Sequence, residues 1–361
     1  MDISSETTIG FAFLVAAVLS FISTPYVKWV ADKVGAVDVP KDKRRMHTIP
    51  IPRLGGLAIF FGFLMSTLIF APINIELRGI LIGALIIVLV GVADDISPMK
   101  ARVKLMWQIV AAIFPVIYGV RMEMITNFFG DGFIVFGNWS YLITILWIVG
   151  VTNAVNLIDG LDGLAVGVSS IASFSLFVIA LLSADFGVAL LAATLFGACI
   201  GFLPFNFNPA KIFMGDTGAL FLGYILATMS VEGLFKFYTI ISFAVPFLIL
   251  ALPIFDTGFA IVRRVMKGKS PMAPDRGHLH HKMIDMGFSQ KQTVVILYAV
   301  SAILGMSAVI ITGDGIIRMV LFMISLICAG IIGYKIFSSK NSKADDYEED
   351  TKEENGGNKK T

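Results

Sequence analysis

The chain is built from apolar blocks that are too long for the strands and short helices of a soluble domain and about the right length to cross a bilayer. Eleven such runs follow one another, at roughly 9–31, 54–73, 78–93, 103–120, 141–158, 164–183, 187–204, 218–234, 239–262, 293–312 and 315–337. A helix needs about 20 apolar residues to cross a hydrocarbon core about 30 Å thick. Inside that core no water is present to satisfy backbone N–H and C=O groups, so each run must satisfy its own by folding as a helix. The expectation is an all-α polytopic membrane protein of about eleven transmembrane helices spanning residues 1–338. The composition agrees: 57% of residues are hydrophobic, against about 45–50% in soluble chains.

The net charge of +2 says little, but the placement of the charges says more. Lys33, Lys41, Lys43, Arg44, Arg45 and Arg53 fall in the first connection, and Lys100 and Arg102 in the third. Arg263, Arg264, Lys267, Lys269, Arg276, Lys282 and Lys291 fall in the ninth, whereas the alternate connections carry only Arg78, Arg121, Lys236 and Arg318. Cytoplasmic loops collect lysine and arginine, so the odd connections are expected in the cytoplasm, the N-terminus outside and the C-terminus inside. The first run lacks the basic region and cleavage site of a signal peptide and reads as a retained span. On the outer face, "FFGDGFIVFGNWS" has aromatic and β-branched residues around Asp131-Gly132, which predicts a short hairpin. Cys199 and Cys328 lie in apolar runs and read as packing residues. Residues 339–361 are charged and aperiodic and read as a disordered cytoplasmic tail. There is no second soluble domain, no internal repeat and no nucleic-acid-binding signal.

Against this background the polar clusters stand out, and all of them map to the cytoplasmic helix ends. "GVADDISPMKARVK" closes the third run with Asp94 and Asp95, followed by Lys100, Arg102 and Lys104. Adjacent carboxylates repel, a cost that a cation or a shared proton relieves. "NAVNLIDGLDGLA" places Asn153, Asn156 and Asp159 three residues apart on one helix face, with Asp162 just beyond. A helix cap and turn would explain its glycines but not four polar side chains. "FNFNPAKIFMGDTGALFLGY" sets Asp216 between two glycines where the eighth run begins; it reads either as an ordinary helix cap or as a ligand for Mg²⁺, which is commonly held by one or two carboxylates plus substrate phosphates. "APDRGHLHHKM" gathers His278, His280 and His281 beside Arg276 and Lys282, a set better suited to phosphate than to zinc. Asp256 lies inside the ninth run, where an acid requires a partner from another helix. Together these residues are an inventory for phosphoryl transfer between anions, with one substrate in the bilayer and the other from the cytosol.

In this order, "VADDISPMKARVKLMWQ", "TNAVNLIDGLDGLAVG", "NFNPAKIFMGDTGALFLGY" and "PDRGHLHHKM", with "HTIPIPRLGGLAIF" ahead of them, resemble the polyprenyl-phosphate N-acetylhexosamine-1-phosphate transferases of the glycosyltransferase 4 type. The His-x-His-His pattern is similar to the TagO and WecA branch; three consecutive histidines mark the MraY branch. The resemblance implies transfer of GlcNAc-1-phosphate from UDP-GlcNAc to undecaprenyl phosphate, with Mg²⁺ or a substituting Mn²⁺, at the cytoplasmic membrane of a Gram-positive bacterium. It further implies a first step of wall teichoic acid or another envelope polymer, and a homodimer. By position it makes Asp94 and Asp95 catalytic and Asp216 the metal ligand. Asn153, Asn156, Asp159, Asp162, His278, His280 and His281 become the nucleotide-sugar site, and Lys104, His47 and Arg53 the contacts of the lipid phosphate. An MraY-like transferase acting on a MurNAc-pentapeptide nucleotide is the alternative within the family. A carrier of sugar nucleotides or ions is the alternative of another class, but it lacks support from repeats or midplane polar groups.

Overall fold

The computed structural model describes residues 3–40, 49–126, 132–233, 241–268, 270 and 277–312. Twelve helices and four short strands occur among them. In chain order they are α1 (Ile3–Val34), β1 (Val37–Asp38), β2 (Ile51–Pro52), α2 (Gly56–Phe70), α3 (Ile75–Ile96), α4 (Ala101–Ile117), β3 (Met124–Thr126), β4 (Phe133–Val135), α5 (Trp139–Ile158), α6 (Leu164–Leu182), α7 (Phe186–Asn206), α8 (Gly215–Gly233), α9 (Ile241–Ile249), α10 (Ala251–Met266), α11 (Leu279–Asp285) and α12 (Gln290–Thr312).

Six of these, in α1, α3, α5, α6, α7 and α12, are long and apolar enough to cross a membrane. The protein is an integral membrane protein with a mostly helical fold. Ten of the eleven apolar runs coincide with helices, and the eleventh, 315–337, lies outside the described residues together with the 339–361 tail. The ninth run is not one helix: it breaks at Leu250 into α9 and α10. Pro253 is the physical reason, since it offers no N–H to the Ile249 carbonyl and its ring crowds that group.

Helix α8 forms the centre, buried on nearly every side as befits a helix apolar all round, with α3 and α5 packed against it. Phe221 on α8 meets Phe60 and Phe63 of α2 edge-on, and the Tyr224 hydroxyl donates to the Ile80 carbonyl of α3. Large apolar side chains on α1, α3, α5 and α10, among them Phe11, Ile22, Leu89, Leu146 and Phe259, face outward. In a soluble protein such a surface would be a liability, but in a bilayer it is solvated by lipid.

The expected hairpin is present: β3 and β4 pair antiparallel, Met124 against Val135 and Thr126 against Phe133. Its tip at Asp131 lies outside the described residues. A second small sheet was not expected. Strand β1 pairs with β2, Val37 against Pro52 and Asp38 against Ile51, and Arg53 bridges onward to Phe213. This ties the first connection to the segment that leads into α8.

Candidate active site

Four connections meet at one end of the bundle and enclose a cleft of about 390 Å³. It is lined by Asp38, Arg53, Asp95, Asn156, Asp159, Gly160, Leu161, Asp162, Asn206, Phe213, Met214, Gly215, Asp216, His281 and Gln290. The ends of α3, α5 and α7, the beginnings of α8 and α12, and the short α11 all contribute. Residues as far apart in sequence as Asp38 and Gln290 thus share one site.

The two adjacent aspartates divide their work. Asp95 is 2% exposed and turns toward the start of α8, where its carboxylate accepts from the Asp216 and Thr217 backbone N–H groups at 3.0 Å each and from the Thr217 hydroxyl at 2.6 Å. It is the N-terminal cap of α8, supplied from another helix. Gly215, with φ +68, permits this approach: a Cβ there would sit 2.3 Å from the Asp95 carboxylate. Arg53 holds the same corner, donating Nε and Nη2 to the Asp95 carbonyl at 3.2 and 3.1 Å. Asp94 turns the other way. Its Oδ1 accepts from the Met99 N–H and its Oδ2 from the Lys104 ammonium at 3.0 Å. Lys104 also donates to Asp216 Oδ2 at 3.0 Å, so one ammonium bridges the carboxylates of Asp94 and Asp216.

Asp159 follows α5 and behaves differently. No hydrogen bond to its carboxylate forms among the described residues, and burial, then the charges of Asp216, Asp95 and Asp162, push it up to about 8. An acid without donors beside other acids is one that could hold a cation. Asp162, three residues on, uses Oδ2 to accept from Asn208 Nδ2 and the Ala210 N–H, both at 3.0 Å, and so shapes the turn between α7 and α8 while lining the cleft.

The histidine motif divides as well. His281 lines the cleft. His280 is 2% exposed and packs on Gly160, where a Cβ would meet its Nε2 at 2.3 Å. Burial, with His281 beside it, pushes the His280 imidazole down to about 4, and neither ring nitrogen has a hydrogen-bond partner among the described residues. His278 is buried next to it, the two rings stacked with centroids 5.8 Å apart.

Not every expected residue reaches the cleft. Asn153 exchanges hydrogen bonds with Gln108 of α4 and donates to the Val149 carbonyl, which makes it a strut between α4 and α5. His47 lies outside the described residues, as does Arg276. Conversely, Asp38 and Gln290 line the cleft without having been singled out. Asp38 was in view as one of two acids, with Asp32, that follow the first apolar run, whereas Gln290 carried no sequence signal.

The cleft is thus lined by carboxylates and by one histidine of the motif, His281, while Lys104 reaches it through its bond to Asp216. The family model for glycosyl transferase family 4 matches residues 77–234, which hold the α3, α5 and α8 motifs. A Bacillus subtilis protein described as a probable undecaprenyl-phosphate N-acetylglucosaminyl 1-phosphate transferase is 42% identical over 302 residues, covering 83% of this chain and 84% of its own. The chain belongs to glycosyl transferase family 4. Within that family it is also similar to a decaprenyl-phosphate N-acetylglucosaminephosphotransferase of Mycolicibacterium smegmatis, 34% identical over 79% of this chain and 77% of the other. An undecaprenyl-phosphate alpha-N-acetylglucosaminyl 1-phosphate transferase of Yersinia pestis is 28% identical over 85% and 84%.

Proposed function

We propose that this member of glycosyl transferase family 4 moves GlcNAc-1-phosphate from UDP-GlcNAc onto undecaprenyl phosphate, giving undecaprenyl-diphospho-GlcNAc and UMP at the cytoplasmic face of a bacterial membrane. The observation that carries the reading is the Asp94–Lys104–Asp216 bridge beside a cleft that Asp216 and Asp159 both line, the Asp159 carboxylate having no donor among the described residues. An oxygen of the lipid phosphate attacks the phosphorus that bears the sugar. The bond from that phosphorus to the bridging oxygen breaks, and UMP leaves with the electron pair. Both reactants are anions, so the chain must supply positive charge and exact positions. Lys104 provides a cation at the site of attack. Asp94, held by Met99 and Lys104, is placed to accept the proton of a lipid phosphate monoanion or to order its oxygens. Asp95 acts through α8 by fixing Asp216.

The donor set suits Mg²⁺. It consists of hard carboxylate and amide oxygens, and among the described residues no three acidic, histidine or cysteine side chains converge closely enough to hold an ion alone. That fits a cation which keeps several waters and takes one or two carboxylates plus phosphate oxygens. Asp216 and Asp159 are the residues that would hold it. When bound, Mg²⁺ (or Mn²⁺ in its place) would neutralise the diphosphate and polarise its phosphorus. Asn156, Asp162 and His281 then form the walls for the nucleotide-sugar, and Arg53 stands at the edge where a lipid phosphate enters. The product would serve as the first lipid of wall teichoic acid or another envelope polymer.

The experiment is UMP release by purified protein in detergent with undecaprenyl phosphate and Mg²⁺, run in parallel with UDP-GlcNAc, UDP-GalNAc and UDP-MurNAc-pentapeptide. The proposal expects release with UDP-GlcNAc. Release only with the pentapeptide nucleotide moves the protein to the other branch of the family, and release with none reopens the carrier.

A further inference from the structure

Asp256 has no place in the cleft. It lies on α10 and borders a separate, largely apolar cavity of about 320 Å³ with Phe255, Phe259 and Lys282. Its side chain is nevertheless only 7% exposed, and both carboxylate oxygens are in use. Oδ2 faces His278 Nδ1 at 2.8 Å, and Oδ1 accepts from the Leu279 N–H at 2.8 Å. Leu279 is the first residue of α11, so Asp256 caps that helix from across the fold. On the far side of the imidazole, Arg264 Nη2 lies 3.4 Å from Nε2. A guanidinium can only donate. Of the two neutral tautomers, only the one with its proton on Nδ1 lets Nε2 accept from Arg264 and aims the proton at the carboxylate. Asp256 and Arg264, both on α10, hold one imidazole from opposite sides.

The grip continues toward the cleft. His278 stacks on His280, His280 packs on Gly160 of the loop that carries Asp159 and Asp162, and His281 lines the cleft itself. Capping α11 and fixing the ring of His278 just ahead of it thus sets where His281 stands. A solely structural duty, neutralising an acid in an apolar run, would need neither two oxygens on consecutive residues of the histidine motif nor a defined tautomer.

We propose that Asp256 is a positioning residue for the transfer reaction, which fixes the tautomer of His278 and caps α11 so that His281 meets the nucleotide-sugar. This rests on the function proposed above. Asp256 touches no reacting group, and its effect is on the donor side alone.

The test labels the protein with ¹⁵N-histidine in detergent micelles and assigns His278 by the signals lost in a His278→Gln sample. In the unaltered protein the His278 proton resides on Nδ1; a proton on Nε2 overturns the proposal, whatever any variant does. In Asp256→Asn the Nδ1 resonance shifts as the carboxylate acceptor is lost. The same variant raises the KM for UDP-GlcNAc about tenfold, the equivalent of one weakened charged hydrogen bond, and leaves the KM for undecaprenyl phosphate unchanged. An unchanged spectrum with an unchanged donor KM overturns it, and so does an equal rise in both KM values, which would mean general loosening. Because the spectrum needs no turnover, an inactive wild type with the Nδ1 proton would refute the proposed function while leaving the Asp256–His278 geometry established.

Discussion

Asp94 and Asp95 are neighbours in sequence, yet their substitutions should fail in different ways. Asp95→Ala removes the acceptor of three donors: the Asp216 N–H, the Thr217 N–H and the Thr217 hydroxyl. Thr217 is fully buried, so its two donors find no water in exchange. A buried donor left without a partner costs about 1–3 kcal/mol, and loss of an N-cap by itself costs about 0.5–2 kcal/mol. Counting only the two Thr217 donors, the variant should lose at least about 2 kcal/mol of stability. Activity falls too, because Asp216 stands in the uncapped turn. Asp94→Asn is different. The amide oxygen still accepts from Met99, while the NH2 that replaces Oδ2 gives up the charge and the bond from Lys104, whose partly exposed side chain keeps Asp216 and water as partners. Its stability should stay near that of the wild type while UMP release drops about 10²–10⁴-fold, the range for losing a positioned acid–base group. The assay pairs unfolding in mixed micelles, titrated with SDS, with initial rates on the same samples. Equal destabilisation by both variants, or none by Asp95→Ala, refutes this division of roles.

Asp159 gives a pH signature in protein stripped of divalent ions. Its carboxyl is raised in the folded state to about 8, so between the ordinary carboxylate range and pH 8 the folded chain binds more protons than the unfolded one, and stability falls as pH rises through that window. Thermal unfolding in detergent from pH 5 to 8.5 should show this fall in the wild type and a shallower one in Asp159→Asn; parallel curves count against it. Asp159→Asn and Asp162→Asn should both lose turnover while still inserting into the membrane, and near-normal rates in both would sink the assignment. Gly160→Ala drives a methyl to 2.3 Å from His280 Nε2, a clash of the kind that costs about 1–3 kcal/mol, and should weaken donor binding measured by UDP-GlcNAc KM. Asn153→Ala strands Gln108, which is 2% exposed, so it should lower the melting temperature yet leave the donor KM near wild type.

Much of this was legible in the sequence because bilayer physics is written in long words. Runs of about 20 apolar residues announce helices, and the crowding of polar motifs at one set of helix ends announces a site. The proline that breaks the ninth run was also in view, at Pro253. What stayed hidden depends on contacts between distant segments. A β1–β2 pair of two residues each carries no periodicity to detect. The opposite orientations of Asp94 and Asp95 follow from where α8 begins, and α8 is over a hundred residues away. Asn153 shares a helix face with Asn156 by spacing, but a glutamine on α4 claims it. The partner of Asp256 could not be named from sequence, since the connection between α10 and α11 is long enough to bring any of several side chains back.

The central claim is that the sugar moves together with its phosphate. UDP-GlcNAc labelled with ³²P on either phosphate, incubated with the protein, undecaprenyl phosphate and Mg²⁺ and then partitioned between butanol and water, tests this directly. The account predicts that label on the sugar-bearing phosphate enters the lipid phase and label on the uridine-bearing phosphate stays in water as UMP. Both labels remaining in water while GlcNAc enters the lipid would mean transfer of the sugar alone and would contradict the account.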